Sequence, residues 1–416
     1  MKGFTLICAG QMFSLLGTAL TEFALPIWAW YLTGQATALA LMSFFNLVPF
    51  LLTTPLAGAI VDRSSRRKVM IRADLAAGLP TMGMLLLNVA GALQVWQVYI
   101  ATAFTGVFQA FHFPAYSAAV TMMLPKEQYG RASGMLATTQ FVSGVFGPVV
   151  AAILMSSIGL SAVMIIDILT LTLAISTLLF VDIPQPSRSE TGNEGIKNIW
   201  RESFSGFHYI FERSSLLGLQ LILFLSNLLS SFGNTLFTPM ILARTENNAL
   251  LLGTVMSFGG IGGVVGSVVL TIWGGPKRRI IGVLGGDILI NLLGWFLVGL
   301  GRNGYVWSLA AFLGFFFLPI LNGSSQAIWQ SKVAPELQGR VFAARLFIAQ
   351  MAMPLGTLLA GPSADNLFEP AMMPDGGLAA TFGGLVGTGP GAGMSLMLVI
   401  AGFLGIVAGL GRTAFE

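Results

Sequence analysis

The chain has 416 residues, of which 55% are hydrophobic and 9% are charged, and its mean hydropathy is +0.81. A soluble protein carries about 25% charged residues, so the composition excludes an ordinary water-soluble domain. One cysteine and two histidines are too few for a disulfide framework or a structural zinc site, so we expect no metal and no cofactor.

Apolar runs longer than 18 residues recur along the chain, and such runs predict membrane-spanning helices. The first run, from Phe4 to Tyr31, is too long for the core of a signal peptide and is predicted to be retained as the first helix. Gly, Pro and charged residues divide the runs into twelve spans. The predicted spans are 4–32, 37–61, 69–91, 95–123, 132–157, 160–181, 215–243, 250–273, 279–301, 304–333, 341–363 and 392–412.

The predicted fold is an all-α membrane protein made of two six-helix bundles. The N-terminal bundle covers 1–181, a polar cytoplasmic linker covers 182–214, and the C-terminal bundle covers 215–416. With the N-terminus inside, 19 of the 21 Lys and Arg residues fall on the inner side, and only Arg244 and Arg302 fall outside. This bias predicts both termini in the cytoplasm. Because the basic residues stand between apolar spans, the chain's net charge of +4 predicts a lipid bilayer and not a nucleic acid as partner.

The two halves repeat each other in sequence. PKEQYGR at 125–131 recurs as PELQGR at 335–340, in both cases between a fourth and a fifth helix. Basic triplets open the third helix of each half, at 66–68 and 277–279, and Pro148 and Pro354 occupy matching fifth helices. A duplicated six-helix unit is the layout of many secondary transporters.

The stretch GAIVDRSSRRK at 58–68 ends the second span and has the form G-x-x-x-D-R-x-x-R-[RK]-K. This stretch closely resembles the helix 2–3 loop of the major facilitator superfamily in residue type, spacing and position. The resemblance implies that Asp62 meets the start of helix 11 and holds the two halves together on the inner side. The alternative is a positive-inside loop with a solvated ion pair. The implied conformational gate consists of Gly58, Asp62, Arg63, Arg66, Arg67, Gly339 and Arg340.

Helix 5 carries GMLATTQFVSGVFGPVVAA from Gly134, which is similar to the antiporter signature of the same family. Gly134, Gly147 and Pro148 match that signature, and Ser143 replaces one of its glycines with another small residue. Small residues let helix backbones approach closely, and proline bends the helix. The alternative interpretation is a generic packing face. QMFSLLGTALTEFALPIW (11–28), TALALMSFF (37–45) and FPAYSAA (113–119) also resemble the branch that contains bacterial macrolide-efflux and siderophore-export proteins.

Polar residues form stripes on helices 1, 4, 7 and 10, the helices that line the central cavity in this family. Polar side chains are costly in lipid, so such stripes are expected to face the bundle interior or water. The predicted substrate-binding residues are Gln11, Thr18, Glu22, Thr105, Gln109, His112, Tyr116, Asn227, Ser230, Ser231, Asn234, Asn322, Ser325, Gln326 and Trp329.

Glu22 is the leading candidate for proton coupling, since a carboxylate inside a span must be neutral, paired or hydrated. Pro26 has no backbone N–H to donate to the Glu22 carbonyl, so this carbonyl is left unpaired and the helix is more polar at Glu22. The alternative is a structural acid that bonds to a neighbouring helix. His112, the one histidine in a span, and Asp167 complete the candidate proton-coupling set, and each also has a structural reading as a packing residue.

Other features have structural interpretations. Asp74 and Asp287 follow basic loops and are predicted to pair with them. The glycine run FGGIGGVVG (258–266) lies inside a helix, so we expect it to pack helices and not to bind a nucleotide. Residues 364–391 are predicted to form a long outside loop without Lys or Arg.

The sequence predicts a bacterial inner-membrane secondary transporter that exports amphipathic small molecules such as drugs, macrolides or siderophores in exchange for protons. It is expected to act as a monomer and not as an enzyme, since the protease and hydrolase motifs sought are missing. One alternative is a facilitator or importer of a single metabolite or lipid. Another is a membrane receptor or enzyme without transport.

Overall fold

The computed structural model describes residues 2–123, 129–181, 207–333 and 335–413, and these residues form helices with no β-strand among them. The first half contains six helices: α1 Lys2–Thr33, α2 Ala36–Arg63, α3 Arg66–Val89, α4 Val95–Met123, α5 Tyr129–Ser157 and α6 Gly159–Phe180. The second half begins with α7 Ser214–Arg244 and α8 Ala249–Trp273. Next come α9, which consists of Arg279–Leu289, the π-helical Ile290–Phe296 and Leu297–Leu300, and then α10 Gly304–Lys332. It ends with α11 (Pro335–Ser363, the π-helical Ala364–Phe368 and Glu369–Met372), the short α12 Ala379–Val386 and α13 Ala392–Thr413.

The predicted spans coincide with long helices, and their ends agree to within about three residues everywhere except at α11. This agreement confirms the all-helical fold class. Within the described ranges, ten helices are long and apolar enough to cross a membrane, and Phe141–Ser157 is a shorter apolar helix. The twelve crossings and the cytoplasmic location of both termini stay predictions.

The chain divides into two compact units. The first unit comprises Met1–Gly34, Ala38–Arg188 and Ala249–Ser257, and the second comprises Gln35–Thr37, Ser189–Asn248 and Phe258–Glu416. The bundle and linker boundaries at 181 and 215 stay predictions.

In the first unit, α1 packs against α5 and α6, and α3 packs against α4 and α6. The buried cluster in this unit includes Phe4, Ile7, Met70 and Leu178. In the second unit, α7 packs against α11 and α13, and α9 packs against α10 and α13. The fully buried Trp329 belongs to the core cluster of that unit.

Glycines mark the closest helix crossings. A Cβ atom on Gly262 or Gly266 would overlap with the backbone carbonyl of Phe312 or Phe316, respectively, so α8 and α10 can approach this closely only because the residues are glycine. The prediction that the glycine run packs helices is therefore confirmed.

The 364–391 segment contains helices, which corrects the prediction that it is a long loop, whereas its location on the outside stays a prediction. It contains the end of α11 and all of α12, and two arginines hold it through its carbonyl groups. Arg244 donates to Val386 and Gly391, and Arg302 donates to Gly384 and Leu385. Arg244 and Arg302 are the two arginines that the charge count placed outside the membrane. The segment itself contains no Lys or Arg, and it offers backbone carbonyls to both arginines.

The carboxylates of this segment cap helices. Asp365 accepts hydrogen bonds from the backbone N–H groups of Ala36 (2.9 Å) and Thr37 (2.8 Å), the residues at the start of α2 that group with the second unit. Glu369 accepts from the N–H groups of Gly391 (2.9 Å) and Met394 (2.7 Å) at the start of α13. A carboxylate at a helix N-terminus satisfies unpaired donors and favours the helix dipole.

Candidate functional site

A buried polar cluster joins α1, α3 and α4 through Asp74. Gln11 donates from Nε2 to Asp74 Oδ2 at 3.1 Å, and its Oε1 lies 2.9 Å from His112 Nε2. The same His112 nitrogen lies 3.3 Å from Asp74 Oδ1. Among the described side chains, Asp74 therefore pairs with His112 and Gln11, which are different partners from the basic loop that the sequence predicted. Its position on α3 turns the carboxylate toward the interior, where the two partners are within reach.

A second acidic site lies between α1 and α6. Asp167 accepts hydrogen bonds from Thr21 (2.9 Å), Thr18 (3.4 Å) and Thr81. Asp167 is 7% exposed, whereas Glu22 is exposed although its neighbours Thr21 and Phe23 are buried. Glu22 directly follows Thr21, the residue that donates to Asp167, so the two acids lie in the same part of α1 and α6.

The second unit contains a matching buried aspartate. Asp287 on α9 accepts a hydrogen bond from Ser226 on α7 and, at 3.3 Å, from Asn291 on its own helix. Asp74 and Asp287 thus both lie on the third helix of a half and both bond to its first helix. This correspondence gives the sequence duplication a structural counterpart.

A second polar cluster in this unit surrounds Arg345 on α11. Its Nη1 donates to Gln326 Oε1 at 2.8 Å, and its Nη2 donates to Ser325 Oγ at 3.0 Å. The guanidinium carbon lies 5.2 Å from the centre of the Trp329 ring. Gln220 on α7 donates to the Arg345 carbonyl at 3.0 Å and fixes the backbone there. Three predicted substrate-binding residues of α10 thus share one arginine.

The fifteen predicted substrate-binding residues differ in exposure. Glu22, Gln109, Asn234 and Asn322 are exposed. Five others are buried among protein atoms: Gln11, Tyr116, Ser231, Ser325 and Trp329. Those of intermediate exposure are Thr18, Thr105, His112, Asn227, Ser230 and Gln326. Seven of the fifteen belong to the clusters above, namely Gln11, Thr18, Glu22, His112, Ser325, Gln326 and Trp329. The role of all fifteen in binding a substrate stays a prediction.

Most of the predicted gate lies outside the residues whose side chains the structure describes, namely Gly58, Asp62, Arg63, Arg66, Gly339 and Arg340. Arg67 is described, and it donates to the carbonyls of Leu178 (2.8 Å) and Leu179 at the end of α6. A cation at a helix C-terminus stabilises the last carbonyl groups, so Arg67 ties α3 to α6.

In helix 5, Gly134 also lies outside the described side chains, whereas Ser143, Gly147 and Pro148 are buried. A Cβ atom on Gly147 would come within 3.1 Å of the Ala19 side chain on α1. At the start of α8, which groups with the first unit, Ser257 donates to the carbonyl of Val145. These contacts are those of a closely packed helix, and the antiporter role of the motif stays a prediction.

Among the described residues, no group of three or more His, Cys, Asp or Glu side chains is placed to hold a metal ion. Sequence reasoning also missed residues that the clusters contain. Arg345 was counted with the basic residues on the inner side, although it lies inside the predicted span 341–363, and Thr21 and Gln220 are polar residues within apolar runs. A search for every polar residue inside a span would have found all three.

The sequence profile of the Major Facilitator Superfamily matches residues 7–357 of the chain. Macrolide efflux protein A of Streptococcus pyogenes is 28% identical over 366 residues, which cover 88% of this chain and 90% of that protein. Multidrug efflux pump Tap of Mycolicibacterium fortuitum is 27% identical over 360 residues, which cover 84% of this chain and 86% of that protein.

Solved structures show the same fold. A bacterial homologue of the human lysosomal transporter Spinster, in an inward-facing and unoccupied conformation, matches with a TM-score of 0.70 at 15% identity, covering 100% of this chain and 95% of that one. A POT family transporter in complex with a thioalcohol-conjugated peptide matches with a TM-score of 0.73 at 11% identity, covering 100% and 96%.

Proposed function

Because this chain belongs to the major facilitator superfamily, we propose that it is a proton-coupled exporter of amphipathic small molecules that works by alternating access. Its similarity to macrolide and multidrug efflux proteins over most of its length supports the export of such molecules. The substrate occupies the polar stripes of α1, α4, α7 and α10, and the gate residues around Asp62 and Arg340 control access. The proposed location is the inner membrane of a bacterium, where the protein acts as a monomer.

The acidic site of α1 and α6 is the observation that carries the coupling. Glu22 lies eleven residues before the end of α1, about 16 Å along the helix axis. An ionised carboxylate against lipid at the bilayer centre costs about 2.5–3.5 kcal/mol, so an exposed Glu22 is best accommodated in a hydrated pathway through the protein. There it exchanges protons, with the buried Asp167 as the neighbouring acid on α6. One proton crossing about 100 mV supplies about 2.3 kcal/mol for transport.

The deciding experiment is transport into proteoliposomes under an imposed pH gradient, with erythromycin and rhodamine 6G as substrates. Accumulation against the concentration gradient that is abolished by a protonophore supports the proposal. Glu22→Gln keeps a polar side chain of the same size and is expected to lose the response to the pH gradient. The matched control is Glu212→Gln, because Glu212 is an exposed acid paired with His208 at 2.9 Å.

The outcomes separate the alternatives. Substrate movement that ignores the pH gradient in the wild type would indicate a facilitator. Unchanged coupling in Glu22→Gln would rule out the assigned role of Glu22. Failure of the wild type to move either substrate would contradict export of amphipathic molecules.

A further inference from the structure

The guanidinium of Arg345 is an uncompensated cation inside the second unit. No carboxylate pairs with it in the part of the chain that the structure describes. We propose that Arg345 binds the carboxylate of a transported organic anion or zwitterion. This inference rests on the proposed function, because it assigns a chemical class of substrate to the stripe of α10.

The hydrogen bonds of Arg345 leave room for such a ligand. A guanidinium has five N–H donors in a planar fork. Two of them are used by Gln326 and Ser325. The remaining donors have no acceptor among the described side chains, and a carboxylate or phosphate is the acceptor that matches an arginine fork, often with two parallel bonds.

The surroundings hold the guanidinium in a fixed orientation. The Trp329 ring lies 5.2 Å away, within the range of a cation–π contact, and is fully buried. Gln220 holds the backbone of Arg345 through a 3.0 Å hydrogen bond, and Gln220 is itself 1% exposed. A charged group fixed by its neighbours loses little freedom when a ligand binds, which increases affinity.

The position of Arg345 within its helix also bears on its role. Arg345 follows the first residue of α11 by ten residues and lies four residues inside the predicted span 341–363, and Ser325 precedes the last residue of α10 by seven. A cation inside a span is costly unless it is paired or hydrated. Ser325, Gln326 and Trp329 are neutral and compensate the charge only in part.

A ligand can reach the guanidinium. Arg345 and Gln326 are half-buried, and Asn322, which precedes Gln326 by one turn on α10, is exposed. Asn322, Ser325, Gln326 and Trp329 follow the spacing of one helix face, so the polar stripe leads from an exposed amide to the guanidinium. The stripe and the arginine together form a site for a molecule that carries both polar and anionic groups.

The test uses two dyes that differ only in the carboxylate, rhodamine B and its ethyl ester. Binding is measured by fluorescence anisotropy on purified protein in neutral phosphatidylcholine nanodiscs. We expect the wild type to bind rhodamine B about tenfold more tightly than the ester. Arg345→Gln should remove this preference by weakening rhodamine B alone, and Arg345→Lys should retain part of it, since the charge remains without the fork.

The matched control is Arg213→Gln. Arg213 also stacks on an aromatic ring, with its guanidinium carbon 3.5 Å from the centre of the Tyr209 ring, but it is exposed. It should leave the preference unchanged. Unchanged ester binding by Arg345→Gln reports that the variant is folded. If Arg345→Gln loses affinity for both dyes equally, Arg345 has a structural role and the proposal is overturned.

Two further outcomes separate related ideas. Phosphatidylglycerol is added to the nanodiscs that contain the wild type. If Arg345 belongs to a substrate site, the preference for rhodamine B remains. If Arg345 binds lipid headgroups, the preference is lost, and this result would overturn the proposal. If the ester is transported in proteoliposomes but the wild type shows no preference, the proposed function stands and the carboxylate site fails. If neither dye binds nor moves, both fail.

Discussion

His112 Nε2 lies 3.3 Å from Asp74 Oδ1, and Gln11 bonds to both residues, so one side chain from each of α1, α3 and α4 meets in a single buried cluster. Asp74 is 5% exposed and Gln11 is 1% exposed. Buried polar groups contribute most when every member is satisfied, and removal of one member leaves the others without partners. The cluster is therefore expected to stabilise the first unit whatever its part in transport.

His112→Ala is predicted to lower the free energy of unfolding by about 1–3 kcal/mol, because the Asp74 carboxylate loses one of its two partners. Thermal unfolding of the purified protein in detergent measures this loss. His208→Ala is the control, since His208 is the other histidine and its ring is exposed. Equal melting temperatures for wild type and His112→Ala would contradict a stabilising cluster.

The crossing of α2 and α4 depends on Gly106. A Cβ atom at this position would overlap with the backbone carbonyl of Asn46, and a backbone group cannot move aside as a side chain can. Asn46 also donates to the Thr102 carbonyl at 3.3 Å, which fixes the two helices at this point. Gly106→Ala is thus predicted to cost about 1–3 kcal/mol of stability, as overpacking does.

Gly83→Ala is the matched control for this crossing. Gly83 lies within α3, and a Cβ atom there would meet no atom within 4 Å. Since alanine is the better helix former, this variant should melt at the same temperature as the wild type or slightly higher. A Gly106→Ala protein as stable as Gly83→Ala would show that the crossing tolerates a wider separation.

Helix positions could be predicted from the sequence because each apolar run ends at Gly, Pro or charged residues, which are costly or disruptive inside a span. The α4 span was predicted at 95–123, where the helix is Val95–Met123. The end of α11 was missed, because Ala364–Met372 contains an Asp and a Glu that read as a loop. Both acids cap other helices, and such long-range partners leave no local pattern in the sequence.

The polar clusters show the same limit of local reasoning. Asp74 follows a basic triplet in sequence, but a residue two turns into a helix can face any direction, and packing of α3 on α4 turns it toward His112. Arg345 reads as one more inner-side basic residue until α10 is placed beside it. Stripes of polar residues could be predicted from their spacing, whereas the partner of each residue depends on which helices are neighbours.

The folded 364–391 segment is predicted to depend on Arg244. This residue donates to the carbonyls of Val386 and Gly391, which flank the link between α12 and α13. Hydrogen bonds from a charged donor contribute about 1.5–3 kcal/mol, so Arg244→Gln should speed amide hydrogen exchange in 379–391 about tenfold or more. Arg213→Gln is the control. Unchanged exchange in Arg244→Gln would mean that Arg302 and the caps hold the segment without it.

The last prediction concerns the acidic site of α1 and α6. If Glu22 and Asp167 act as one proton-exchanging unit, Glu22→Gln and Asp167→Asn should each reduce the rate of transport driven by a pH gradient about tenfold or more. The double variant should be no slower than the slower single variant, because residues that act together have non-additive effects. Asp167→Asn retains an acceptor for Thr21, so its melting temperature should change little although its transport rate under the pH gradient falls.

The measurement is the initial rate of rhodamine 6G uptake into proteoliposomes, with and without the pH gradient. Asp375→Asn is the control, because Asp375 is an exposed aspartate in the link between α11 and α12. If the effects of the two single variants multiply in the double variant, the carboxylates act independently. The proton then moves through Glu22 without Asp167, whose bonds to Thr18 and Thr21 would serve to join α1 to α6.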